Sequence, residues 1–456
     1  MRVLMLGWEF PPYISGGLGT ACQGLTRALS QQDVHVTFVL PRPIEQHTVG
    51  DVRVVSANSS APAPREPVGA TESFADTAGF ENVTFHAVPA NLRSPYQRAR
   101  QRWAEIDRHI AAQRQAAAQP GSVLHEPEAE AARHGHAPGH DAASLYTGDL
   151  FGEADRYARR CVELARRDQI DVIHAHDWLT FPAGMAVAAF TGRPLVVHVH
   201  STEFDRAGER IDQRIYEIER RGMHAAVRII TVSNLTRAIL QHRYGVPGDR
   251  IDVVYNGIDP APRPEARQHA RAIKNGDRIV LFLGRVTMQK GPGYFIESAK
   301  KVLEKHEHVK FVITGSGDQI PEVIDLAARY GIGHKVTFTG FLEGEDVDRV
   351  FEMADVYVMP SVSEPFGLAA LEAIRHDVPA IVSRTSGVSE ALRHVLRVDF
   401  WNTDEIADKI LAVLNHPPLA KTLCSNADRE IEQFTWRDAA ERCRRIYHEA
   451  MAVMPR

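Results

Sequence analysis

Several things are scarce in this chain, and each scarcity closes a door. Only four cysteines occur in 456 residues, Cys22, Cys161, Cys424 and Cys443. They are scattered and form no CxxC pair, which excludes a thiolate zinc cage and fits a reducing compartment. No run of 18 apolar residues occurs, so no spanning helix and no transmembrane segment is expected. The opening MRVLMLGWEFPP lacks the long apolar region and small-residue cleavage site of a signal peptide, and a soluble cytoplasmic protein is expected. Basic excess is also missing. A formal net charge of −5 argues against a nucleic-acid partner bound by bulk electrostatics.

What remains is an ordinary globular composition long enough for two domains. Short apolar runs bounded by loops read as buried parallel strands: Arg2–Gly7, Val34–Leu40, Val83–Val88, Asp171–Ala175, Leu195–Val199, Arg228–Val232 and Ile251–Tyr255. A helical pattern over Thr20–Ser30 separates the first two, giving a βαβ unit. After the stiff Pro260-Ala261-Pro262-Arg263-Pro264 the alternation resumes at Ile279–Leu283, Val309–Thr314, Val336–Thr339, Val356–Met359 and Ala380–Ser383. The expected fold class is α/β, with two doubly wound, Rossmann-like domains joined by a hinge that leaves a cleft. The expected boundaries are 1–258 with an insertion at about 91–148, then 259–430, then 431–456 with a terminal helix at about Trp436–Met451. The insertion carries an Arg-rich segment (Arg98, Arg100, Arg102, Arg108) and His134, His136 and His140, and reads as a surface segment or lid.

Chemistry-bearing residues gather at strand ends. The Gly16-Gly17-Leu18-Gly19 loop lets backbone approach a ligand ahead of a helix N-terminus that favours negative charge. As a G-x-G-x-x-G fingerprint it fails, because the last position is Cys22. In DVIHAHDW, His174 and His176 share one face of a strand, with Asp177 beyond. His198 and His200 repeat the pattern in VVHVHS. Zinc is conceivable for either pair, but no third ligand is evident, so active-site histidines are preferred and no metal is expected. In LGRVTMQKG, Arg285 and Lys290 follow a strand end and suit a pyrophosphate. Gly315-Ser316-Gly317 offers another close approach. Asp346-Val347-Asp348 resembles a metal-binding DxD but reads as an acidic helix start.

The stretch PSVSEPFGLAALE holds two carboxylates, Glu364 and Glu372. Pro365 suggests that a helix begins beside Glu364, placing the pair roughly 12 Å apart at helical rise. Acid and base at a glycosidic bond stand about 5 to 10 Å apart, so this spacing suits two ends of one long ligand better than hydrolysis.

Taken together, the glycine loop, HAHDW, VHVHS, NGID, GRVTMQKG, ITGSGD and EPFGLAALE resemble the retaining nucleotide-sugar glycosyltransferases of the GT-B fold. The likeness is to the family that includes glycogen and starch synthases and sucrose-phosphate synthases, and it runs from Arg2 to about Leu392 outside the insertion. It implies a hexosyltransferase, UDP- or ADP-sugar dependent, with a carbohydrate acceptor, an α-glucan foremost, and no metal or other cofactor. A small sugar, sugar phosphate or lipid-linked sugar is the alternative acceptor. A nucleotide-sugar epimerase, or a non-catalytic sugar-binding protein on this fold, is the alternative class. By resemblance Gly16, Gly17 and Gly315 lie against the donor, and Arg285 and Lys290 grip its pyrophosphate. Glu364 meets the donor sugar, with the backbone of Phe366, Gly367 and Leu368 around it. Glu372 binds the ribose, Thr385 and Gly387 form a phosphate-contacting turn, and Asn234 lines the cleft. His200 bonds the donor sugar and Asp177 lies toward the acceptor. Three departures stand out: glycogen and starch synthases have Lys where Ile14 stands, two glycines where Ser386-Gly387 stand, and VHN where this chain has His200-Ser201.

Overall fold

The computed structural model describes residues 1–11, 16–41, 54–56, 82–88, 150–259 and 276–453. The insertion and the proline-rich linker lie outside them. Both sheets belong to one compact unit, Met1–Leu92 with Asp149–Arg456.

The first half contains β1 (Arg2–Leu6), α1 (Gly17–Ser30), β2 (His35–Pro41), β3 (Val54–Ser56), β4 (Val83–Val88), α2 (Leu150–Ala165) and β5 (Val172–His176). It continues with α3 (Phe181–Thr191), β6 (Leu195–Val199), α4 (Glu203–Ala207), α5 (Gln213–Ala225), β7 (Arg228–Thr231), α6 (Asn234–Tyr244) and β8 (Ile251–Val253). The second half contains β9 (Arg278–Leu283), α7 (Pro292–Leu303), β10 (Val309–Thr314), α8 (Ile320–Arg329), β11 (Val336–Gly340), α9 (Glu345–Met353), β12 (Val356–Met359) and α10 (Leu368–Arg375). Then come β13 (Ala380–Ser383), α11 (Gly387–Ala391), β14 (Leu396–Val398), α12 (Thr403–Asn415), α13 (Pro417–Ile431) and α14 (Trp436–Val453).

All pairings within the two sheets are parallel, as runs such as Val3–Leu6 and Val196–Val199, buried on both faces, require. The eight-stranded sheet has the order β3-β4-β2-β1-β5-β6-β7-β8, and the six-stranded sheet β11-β10-β9-β12-β13-β14. In each, the chain builds outward on one side and then restarts on the other. The reversals fall between β1 and β5, and between β9 and β12. Ligands of open α/β sheets bind outside the carboxyl ends at these reversals. The residues that follow β1, β5, β9 and β12 are therefore the ones to inspect.

Helix α14 returns to the first half after the second is complete. Its buried stripe, Trp436, Ala440, Cys443 and Tyr447, packs with Cys22, Leu25 and Leu29 of α1 in one core. Gly24 allows this: a Cβ there would come within 2.1 Å of the Trp436 ring. Among the described residues no helix is long and apolar enough to cross a membrane.

Candidate active site

After β9 the backbone turns at Gly284 (φ 152°) and again at Gly291 (φ 67°), angles that L side chains rarely adopt. Between these turns lie Arg285 and a 3₁₀ turn, Met288–Lys290. Lys290 Nζ reaches Glu364 Oε2 as an ion pair between side chains that are 20% and 9% exposed. Arg285 donates to Gln289 Oε1 at 3.4 Å, and Gln289 O accepts from Val362 N at 2.9 Å. The loops after β9 and β12 are thus tied to each other, and residues distant in sequence share one place.

Glu364 is not at a helix start. Helix α10 begins at Leu368 behind an N-cap Gly367 with φ 111°. Glu364 instead forms a parallel bridge with Ser386: Glu364 N donates to Thr385 O at 3.0 Å and Gly387 N to Glu364 O at 2.9 Å. The Thr385 hydroxyl donates to Ser361 O at 3.0 Å. A Cβ on Gly387 would stand 2.3 Å from Pro365 O, so glycine is needed there for packing. Gly315 is similar, since its Cβ would meet Gly284 O at 1.9 Å. The Phe366 ring is core, stacked on Tyr255 at 5.8 Å, which leaves its backbone toward the loop.

Tyr357, on β12, joins the two glutamates. Burial pushes its phenol well above the usual value, and the carboxylates of Glu364 and then Glu372 push it further. Burial also raises Glu372, against the opposing pull of Arg375. Both carboxylates therefore act on one tyrosine although the segment between them is only partly helical.

The first sheet offers a different surface. Helix α1 starts at Gly17, three residues before the expected Thr20, so Gly16 is its N-cap and the helix end points its free amides outward. Glu9, from the loop after β1, takes that end. A Cβ on Gly16 would lie 3.1 Å from Glu9 Oε2. Burial raises the Glu9 carboxyl, while Arg285 of the second half and the Gly19 amide pull it down. Sequence reading passed over Glu9. Its signal is a lone carboxylate after β1, at the reversal.

Asp177 follows β5 with φ 57°. Its Oδ1 accepts from His200 N at 2.7 Å and Ser201 N at 3.3 Å, so the side chain holds the loop after β6. Burial lifts its pKa to about 7, although those backbone amides lower it. His176 Nδ1 lies 2.9 Å from His200 Nε2. Beneath the same loop Arg206 pairs with Glu203 (3.2 Å) and Glu219 (2.5 Å) and donates to Ser201 O at 3.2 Å. This buried network fixes His200 and was not legible as a motif.

Side-chain hydrogen bonds beside these loops also join the halves. Ser363 Oγ donates to Asp205 Oδ1 at 2.5 Å. Glu390 accepts from Asn234 N (2.6 Å), Leu235 N (3.2 Å) and the Tyr255 hydroxyl (3.0 Å), a carboxylate at the positive end of α6. Asn234 is thus engaged with the second half. The DxD-like Asp346 and Asp348 lie in the first turn of α9, bonded to Arg349 at 2.8 Å and His376 at 3.0 Å, as a helix start predicts.

The chain is similar to known glycosyltransferases. Residues 264–430 match the family model described as glycosyl transferases group 1, residues 123–262 match glycosyltransferase family 4, and residues 2–136 match the starch synthase catalytic domain. An uncharacterized glycosyltransferase of Methanocaldococcus jannaschii is 34% identical over 305 residues, 63% of this chain and 78% of that protein. Glycogen synthase of Mycobacterium tuberculosis is 26% identical over 465 residues, 98% of this chain and 94% of that one. Sucrose-phosphate synthase from Thermosynechococcus elongatus superposes with TM-score 0.69 at 18% identity, covering 99% of both chains. The family decides for sugar transfer over the epimerase alternative. With its two parallel sheets and these relatives, the chain belongs to the GT-B glycosyltransferases.

Proposed function

We propose that the chain transfers a hexosyl group, glucosyl foremost, from a UDP- or ADP-sugar to a hydroxyl of an α-glucan, with retained configuration. The observation that carries this reading is the junction of Arg285, Lys290 and Glu364 where the second sheet reverses. Residues 259–430 take the nucleotide sugar and 1–258 the acceptor. Arg285, Lys290 and the amides at Gly16 and Gly17 neutralise the departing diphosphate, so no metal is needed at the phosphates. The C1–O bond to phosphate breaks and the acceptor oxygen bonds C1 on the same face. The acceptor proton passes to the leaving phosphate oxygen. Glu364 orients the sugar hydroxyls, His200 bonds the same sugar, and Glu372 holds the ribose. Donor binding draws Lys290 from Glu364 to phosphate and displaces Glu9 from the end of α1. Closure of the halves keeps water from the donor.

A donor panel tests this reading: UDP-glucose, ADP-glucose, GDP-mannose and UDP-GlcNAc, each with maltooligosaccharides. Chain elongation from UDP- or ADP-glucose, with α-linkages by NMR, is expected. Nucleotide release without elongation from every donor would overturn the glucan acceptor, and a β-linked product would overturn retention.

A further inference from the structure

The two histidine pairs of the sequence each lacked a third ligand, and the sheet supplies it. Strands β5 and β6 are parallel neighbours with His176 opposite His198. Residues two apart share a face, so His174, His176 and His198 stand together on the side covered by α14. The His174 and His176 rings are 4.3 Å apart, and His176 and His198 5.2 Å. All three are at most 2% exposed.

His174 and His176 each have one ring nitrogen taken and one not, and neither nitrogen of His198 is taken. His174 Nδ1 bonds the Tyr447 hydroxyl of α14 at 2.7 Å, and His176 Nδ1 bonds His200. His174 Nε2, His176 Nε2 and both nitrogens of His198 are buried without a hydrogen-bond partner among the described residues. Orphaned buried polar atoms are rare in folded proteins and mark a missing ion or water. One ligand nitrogen from each histidine falls within 4.8 Å of the others. The rings stand within 35° of parallel, so binding a metal at about 2.0–2.1 Å requires them to rotate until their in-plane lone pairs converge. Tying the outer ring nitrogen while the inner one faces the ion is how metal-bound histidines are oriented.

We propose that His174, His176 and His198 bind one divalent transition metal of the zinc class, pinning β5, β6 and α14 together behind the sugar site. Three neutral imidazoles suit zinc, copper, iron or nickel, and not magnesium or calcium. The ion is separate from the diphosphate. With His176 Nε2 on the metal, its remaining proton sits on Nδ1 and is donated to His200 Nε2. This fixes the His200 tautomer, a consequence that rests on the proposed role of His200, whereas metal uptake does not.

The test uses untagged full-length protein, loaded with zinc or cobalt(II), desalted, and measured by elemental analysis. About one ion per chain is expected, with visible cobalt d–d absorption and a higher Tm. Uptake should be lost in His198→Leu, and Tyr447→Phe should weaken zinc roughly 10–100-fold in competition with a chelating dye. Wild-type protein that folds yet retains less than about a tenth of an ion and shows no cobalt band overturns the site, as buried waters then satisfy the rings. Undiminished uptake by a folded His174→Leu/His198→Leu double variant also overturns it, by placing the metal elsewhere.

Discussion

The strand-end loops of the two sheets hold opposite kinds of chemistry. After β9 and β12 stand formal charges that answer one another, Lys290 with Glu364, in a half-buried loop junction. After β5 and β6 stand buried imidazoles and an aspartate whose hydrogen-bond partners are backbone amides. Charges paired with each other can be redistributed when a charged ligand arrives. A carboxyl spent on holding backbone cannot be, without loosening the loop. The second half is thus arranged to exchange partners, and the loops after β5 and β6 to stay still.

The comparison breaks most visibly at Lys290. Lys290→Ala removes the diphosphate grip and leaves Glu364 buried without its counterion, so turnover should fall about a thousandfold. Initial rates with the active donor check this, and a loss below tenfold would dissolve the distinction. Next comes Glu364→Gln, which keeps shape and removes charge. Turnover should drop on the order of a hundredfold while donor affinity by calorimetry stays within about threefold, because an interaction that strengthens in the transition state affects rate more than binding.

On the still side, Asp177 separates holding from chemistry. Asp177→Ala orphans two amides and should lower stability by about 1–3 kcal/mol in denaturant melts. Asp177→Asn keeps an acceptor and should preserve stability and most activity. Equal activity loss in both variants would make Asp177 chemical rather than a holder. Glu372→Ala should weaken nucleotide binding roughly tenfold, the equivalent of about 1.4 kcal/mol, with turnover at saturation little changed. Unchanged affinity argues against the ribose role. The smallest effect belongs to Ser363→Ala, which removes one link between the halves. Its cost should be about 0.5–1.5 kcal/mol or less, read as a slightly raised KM for donor.

The strand pattern was largely legible. Val83–Val88, Leu195–Val199, Val309–Thr314, Val356–Met359 and Ala380–Ser383 fall where the apolar runs place them, because parallel strands buried on both faces announce themselves as unbroken hydrophobic stretches. The three-residue β3 and β14 escaped notice, being too short for any periodicity. The boundary at Glu364 was misread because Pro365 suits a helix start. Its bridge to Ser386 involves a residue 22 positions away and decided otherwise.

By itself the sequence determined the fold class, the family resemblance and the identity of the charged residues after β9 and β12, since these depend on local pattern and on glycine at strand ends. Only the tertiary structure decided which groups meet. Lys290 with Glu364, Asp205 with Ser363, and His174 and His176 with His198 meet across 22 to 158 positions of chain, and Glu9 feels the charge of Arg285 from the other half. Such meetings are set by strand order and register, and no local pattern of residues encodes strand order.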